Sequence, residues 1–418
     1  MICSIIEPIK FLMKKYSLLL LLASVWLAPS CTDDITNDEP TENPEFSQQD
    51  MQILSKELNL PPALFNYVNI DLPEHYKSAE ANEADNTPDY NQITDIGATL
   101  GRVLFYDERL SANNTISCAS CHNQNAAFSD PRKFSIGLHG EQTRRNSMTL
   151  INSRYYENRA FFWDERASTL EEQVLMPIED HIEMGMALDS LERKLQELDY
   201  YKVLFRKAFG SEKVTSERIS LALSQFTRSI VSYNSKFDEG FIAAGFPEDE
   251  EQMPDFQNFT RMENLGMDIF YRGRNGGTCL YCHGTPQHVN DIAKNNGLDL
   301  SYSDNGKGEI TGQTSDNALF KVPSLRNIAK TAPYMHDGRF ETLREVVDHY
   351  SDSVQNHPNL NFRLKTLDDG EEGEAEVLRL KLSEEEKEAL VAFLHTLTDE
   401  KVITDEKYSD PFIRNRDE

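Results

Sequence analysis

Cys118-Ala119-Ser120-Cys121-His122 and Cys279-Leu280-Tyr281-Cys282-His283 both read C-x-x-C-H, and this string restricts the possible folds more than any other. Two cysteines one short turn apart can form thioethers to the vinyl groups of a haem. The histidine that follows is then held where its imidazole coordinates the iron. Each such string needs a core built around it. Paired C-x-x-C also builds four-cysteine zinc sites, but zinc ribbons use shorter intervening spacing and do not require the histidine that trails both pairs here.

The chain is 418 residues long, enough for two or more cores. With 39% hydrophobic and 27% charged residues, it reads as a soluble globular protein. The net charge of −28 argues against a nucleic-acid partner. An acidic surface suits small neutral oxidants or basic protein partners.

The N-terminus reads as an export signal: Met13-Lys14-Lys15, an apolar stretch over residues 17–27, then Ala28-Pro29-Ser30 before Cys31. The apolar stretch is shorter than the ~20 residues a membrane-spanning helix needs. Residues 1–30 are expected to be removed and Cys31 to carry the lipid of a bacterial lipoprotein; the alternative is ordinary cleavage near Ser30. Two features favour the lipid. Residues 32–45 are an acidic Pro/Asn/Thr-rich tether, and apart from the C-x-x-C-H cysteines only Cys3 and Cys31 remain, leaving no disulfide pair in the mature chain. The expected location is the periplasm or cell envelope, with membrane contact through the anchor only.

Helical recurrence is expected over residues 96–107, 164–176, 186–209, 216–233, 264–270 and 343–350. The capping box Ser383-x-x-Glu386 opens another helix, with Leu390, Val391, Phe393, Leu394 and Leu397 on its apolar side. No long alternating strand appears, so the fold class is mainly α with long loops. Gly245-Phe246-Pro247 and the acidic run after it mark a boundary. The segments are then 31–90 (tether and extension), 91–245 (first haem unit), 246–400 (second) and 401–418 (tail). Residues 368–376 read as a solvated acidic loop, and His75, His181, His288, His357 and His395 as surface residues.

Further motifs follow in order: Arg145-Asn146-Ser147, Phe162-Trp163-Asp164-Glu165-Arg166-Ala167, Leu170-Glu171-Glu172-Gln173, Glu183-Met184, Val322-Pro323-Ser324-Leu325-Arg326-Asn327 and Thr331-Ala332-Pro333-Tyr334-Met335-His336-Asp337-Gly338. With the haem strings, they make residues 90–400 resemble the bacterial di-haem cytochrome c peroxidases and their MauG-type relatives. The resemblance implies two cytochrome c-like haem domains and two covalently bound haem c groups. His122 would ligate the peroxide-reacting haem and His283 the electron-transferring haem, with Trp163 as relay between them. Gln173 and Glu183 would line the distal pocket of the first haem, Glu183 moving a proton between the peroxide oxygens. Asn146 with the carbonyls of Thr331 and Pro333 would hold one calcium ion.

Where the family's simple peroxidases carry a methionine ligand to the second haem, this chain has Tyr350, as MauG-type members do. A phenolate oxygen favours ferric and higher-valent iron, whereas a thioether favours the ferrous state. Met335 and His349 are rival ligands nearby. His139, in Ile136-Gly137-Leu138-His139-Gly140, stands close to the position of a histidine that caps the resting first haem in many family peroxidases. It either ligates that iron, so that activation needs loop movement, or leaves the haem open.

The implied activity is reduction of hydrogen peroxide to water. Electrons would come from an external donor, either a small cytochrome c or similar protein or a quinol-linked donor, and oxidising equivalents could be stored over both haems. A homodimer is compatible with the family. The alternatives are a non-catalytic di-haem electron carrier and a MauG-like oxidase or oxygenase acting on a protein or organic substrate.

Overall fold

Two pairs of crossing helices organise the molecule. The computed structural model describes residues 46–156, 158–247, 253–284, 287–366 and 375–414, which lie within one compact unit, Asn43–Glu418. Helix α1 (Asp95–Tyr106) starts at Thr94, whose hydroxyl accepts from the Gly97 N–H, and every one of its residues is buried. It crosses α2 (Ser216–Ser229) at Gly101, where an added Cβ would lie 2.0 Å from the Ala222 carbonyl oxygen. Helix α3 (Arg261–Arg272) opens on a Thr260/Glu263 capping box and crosses α4 (Glu384–His395) at Gly266. There an added Cβ would lie 1.9 Å from the Ala389 carbonyl oxygen. In both halves, therefore, glycine allows two helix backbones to touch just before a C-x-x-C-H turn.

Each crossing seeds its own core. The first gathers Leu100, Leu104, Phe105, Leu204 and Phe226, with Cys118 packed against it. The second gathers Phe237, Ile269, Phe270, Phe393 and Leu397, with Cys279 packed against it. Residues from both ends of the described chain, among them Leu54, Tyr67, Val402 and Tyr408, complete the first core. Among the described residues the one sheet is a pair of short antiparallel strands, β1 (Asn290–Lys294) and β2 (Phe320–Val322). The fold is mainly helical, as expected.

Several expected helices differ in detail. Residues 164–176 do not form one helix: only Leu170–Gln173 and, further on, Met176–Glu179 coil, and Phe162 and Glu165 take left-handed backbone angles. The Asp164 carboxylate is occupied by Arg145 and Arg166, which fixes this segment as a turn. The 186–209 stretch splits into Leu188–Gln196 and Asp199–Phe209. Helix α2 stops at Ser229, and the Ser232 N–H donates to the Asn152 side chain instead of continuing the helix. The helix over Leu343–Asp348 runs into a π turn, His349–Ser353.

Three histidines read as surface residues are in fact buried: His75, His288 and His357. His75 Nε2 pairs with Asp238 at 2.9 Å, and Asp238 also accepts from Arg326 Nη1 at 2.7 Å. Burial would raise the Asp238 carboxyl, but Arg326, His75 and Ser235 outweigh it and hold it below the usual range. His181 and His395 are exposed, as expected. The signal, Cys31, the 32–45 tether and most of the 368–376 loop lie outside the described residues. No helix among the described residues is long and apolar enough to cross a membrane.

Alanine normally stabilises a helix interior over glycine by ~1 kcal/mol. At Gly101 and Gly266 the close approach reverses the sign. Gly101→Ala and Gly266→Ala are each expected to lower the urea midpoint of the holoprotein, by an overpacking cost of ~1–3 kcal/mol.

Candidate functional site

The short helix Cys118–Cys121 opens on a Ser117/Ser120 capping box and delivers His122 at its end. His122 Nδ1 donates to the Phe128 carbonyl at 3.0 Å, which fixes the tautomer and leaves the Nε2 lone pair able to take a metal. Burial lowers the imidazole pKa, so the ring stays neutral and able to bind a metal. Beside this turn lies a cavity of about 520 Å³, a volume suited to a cofactor. Cys118, Cys121 and His122 form part of its wall, together with Trp163, Gln173 and Glu183. One space thus unites the covalent anchor, the expected relay and both expected pocket residues.

Glu183 sits in the turn after Asp180, whose carboxylate accepts from the N–H groups of Ile182 and Glu183. Burial raises the Glu183 carboxyl to about 7, with a further push from Asp180 and a pull the other way from Arg166. A carboxyl poised there can take and return a proton near neutrality. Arg145, Arg166 and Lys321 also line the cavity, a cationic set that the sequence reading did not single out.

His139 is exposed and is not part of the cavity wall. Its loop is tied down: the Leu138 N–H donates to the carbonyls of Ile182 and Glu183, at 2.9 and 3.0 Å. An added Cβ on Gly137 would lie 1.8 Å from the Ile182 carbonyl oxygen, so the loop is seated on the backbone beside Glu183.

Trp163 lines the cavity, and its ring centroid lies 6.4 Å, edge-on, from that of His336, which stacks on Phe320 at 3.7 Å. Its indole Nε1 donates to the Asn146 carbonyl at 2.8 Å. The Asn146 N–H in turn donates to the His336 carbonyl at 2.8 Å, so Asn146 bridges Trp163 and the 331–338 loop. Asn146 and Thr331 are both buried. Asn146 and the backbone carbonyls of Thr331 and Pro333 are hard oxygen donors of the kind calcium takes.

At the second string, burial pushes the Cys279 thiol up to about 12 and pulls His283 down to about 4, a neutral imidazole again. Tyr350 occupies the π turn, and the Cys282 and Cys279 thiols lie near enough to act on its phenol. Burial pushes that phenol up, opposed by a hydrogen bond from Asn296. Met335 and His349, the rival ligands, border the same place: Asn296 Nδ2 lies 3.5 Å from Met335 Sδ, and His349 Nε2 donates to the Asn296 carbonyl at 3.0 Å. Asn296 was missed by sequence reasoning; Asn295-Asn296-Gly297 carries only a turn signal. The Cys118 and Cys279 pairs belong to separate cores, which rules out a single four-cysteine zinc site.

Comparison with known proteins agrees with this geometry. Residues 96–243 match the family described as di-haem cytochrome c peroxidase. The methylamine utilization protein MauG of Methylophilus methylotrophus is 32% identical over 307 residues, covering 73% of this chain and 84% of the relative. Cytochrome c551 peroxidase of Nitrosomonas europaea is 35% identical over 255 residues, covering 60% of this chain and 71% of the relative. Among solved structures, a MauG-like protein associated with microbial copper homeostasis superposes with a TM-score of 0.66 at 32% identity, covering 82% of this chain and 99% of the other.

The two strings should load independently. Replacing Cys118 and Cys121 together by alanine is expected to halve the covalent haem per chain, read as the pyridine haemochrome, and to leave the haem at Cys279 and Cys282 in place.

Proposed function

Since the chain belongs to the family of di-haem cytochrome c peroxidases and MauG proteins, we propose that it reduces hydrogen peroxide to water with electrons from an external donor protein or a quinol-linked donor. When bound, the two haems supply the redox chemistry: peroxide takes up two electrons and two protons and leaves as two waters. The residues of this chain hold and steer that chemistry. His122 Nε2 is the ligating atom at the first site, aimed by the Phe128 carbonyl. Glu183 accepts a proton from one peroxide oxygen and returns it to the other. Gln173 lines the same space and orients the bound oxidant. Trp163, between the cavity and the His336 loop, relays electrons from the His283 side. Asn146, Thr331 and Pro333 would hold one calcium ion, supplying hard oxygen donors. The exposed His139, outside the cavity wall on a loop tied to the backbone, supports the reading in which it would not hold the first haem and no prior activation is needed.

The observation that carries this reading is Glu183: a carboxyl poised near neutrality in the same cavity as His122. A simple electron carrier has no use for it. A second reading, storage of oxidising equivalents for a protein or organic substrate, is favoured by Tyr350 beside the second cysteine pair. In both readings the protein works outside the cytoplasm, anchored through Cys31.

Stopped-flow mixing of the ferric holoprotein with peroxide tests the proposal. Proton acceptance needs the carboxylate, so the rate should be low below pH 7, where Glu183 is protonated, and rise as it ionises. Glu183→Gln should lose ~10²–10⁴-fold in rate and lose this pH dependence. A Glu183→Gln protein as fast as wild type across the pH range contradicts the assigned role. His139→Ala should leave the resting spectrum and the peroxide rate unchanged; a newly opened, faster-reacting first haem would mean that His139 is a cap.

A further inference from the structure

One residue, Asn296, meets all three side chains that compete for the far face of the second haem, two through its side-chain amide and one through its backbone carbonyl. Asn296 Nδ2 donates to Tyr350 Oη at 3.3 Å and lies 3.5 Å from Met335 Sδ. The Asn296 backbone carbonyl accepts from His349 Nε2 at 3.0 Å. Asn296 lies two residues past the end of β1 and is half-buried. Met335 is held with φ +74°, a left-handed conformation uncommon for a side chain of its kind. The Gly338 N–H closes that turn on the Met335 carbonyl at 3.1 Å.

We propose that Asn296 is the positioning residue that selects Tyr350 as the far-side donor of the second haem and tunes how strongly it donates. The inference rests on the reading that Tyr350 ligates that haem. A ring nitrogen that donates its hydrogen to a carbonyl has no lone pair left for iron, so the Asn296 backbone withdraws His349 Nε2 from the competition. A tyrosine oxygen is a better acceptor than a thioether sulfur. The single side-chain amide therefore favours Tyr350 over Met335. An N–H bonded to a ligating oxygen draws electron density from it, weakens the donor, and fixes its direction, as outer partners do at metal sites.

The test uses the holoprotein carrying both haems. Asn296→Leu removes the amide at similar volume and keeps the backbone carbonyl. The expected result is unchanged haem content and an unchanged first-haem spectrum. The tyrosinate-to-iron charge-transfer band should move to longer wavelength, and the midpoint potential of the second haem should fall. Asn296→Gln, which restores an amide donor, should recover part of both shifts. If the leucine variant loses the second haem, Asn296→Asp carries the same test, with a potential below wild type expected. Tyr350→Phe should abolish the band, and Met335→Leu should leave it intact. A band and potential identical to wild type in Asn296→Leu, where Tyr350→Phe does lose the band, would overturn the proposal. Retention of the second-haem spectrum in Tyr350→Phe would instead refute the ligand reading, and the proposal with it.

Discussion

A haem attached through C-x-x-C-H demands three things of a chain at once: two thiols on one turn, an imidazole held in a fixed tautomer, and an apolar wall close behind them. For the turn and the apolar wall, this molecule meets the demand twice with one device. A glycine lets two helices cross in backbone contact, at Gly101 on Ala222 and at Gly266 on Ala389. The core each crossing creates then receives the first cysteine of its own string. At the first string the Phe128 carbonyl completes the arrangement by aiming His122. Everything else of functional interest is arranged around these two anchors.

Beyond the shared device the two halves diverge, and the proposed chemistry rests on the divergence. The first anchor opens on a cavity whose wall holds a carboxyl with a pKa near 7. The second faces a tyrosine in a π turn, a local break of helical register of the kind found at functional sites. Trp163 lines the cavity and also meets the ring of His336, next in sequence to Met335. Its neighbourhood is held by ion pairs, Arg145 and Arg166 to Asp164, rather than by helix hydrogen bonds.

How much was legible in the sequence depended on whether the cause was local. The C-x-x-C-H turns, the Ser383/Glu386 capping box and helices α1 and α4 depend on neighbours within a few residues, and they read correctly. The segment 164–176 read as helix because its periodicity is right. What prevents a single helix is an arginine far back in the chain, and no window across the segment contains it. His75 looked exposed because its partner Asp238, and the Arg326 that pairs with Asp238, are remote in sequence. Gln173 and Glu183 came from family resemblance, since one glutamate among many has no signature of its own. Asn296 could not be found at all: its importance lies in three contacts, none of them with a sequence neighbour.

The central claim is that two unlike haem sites act as one oxidising unit, the first reacting with peroxide and the second sharing the consequence through Trp163. The most direct measurement is electron paramagnetic resonance of the fully ferric holoprotein before and after one equivalent of hydrogen peroxide. The account predicts that the ferric signals of both haems are lost together, although peroxide meets only the first. Loss of the first signal alone, or of neither, would contradict it.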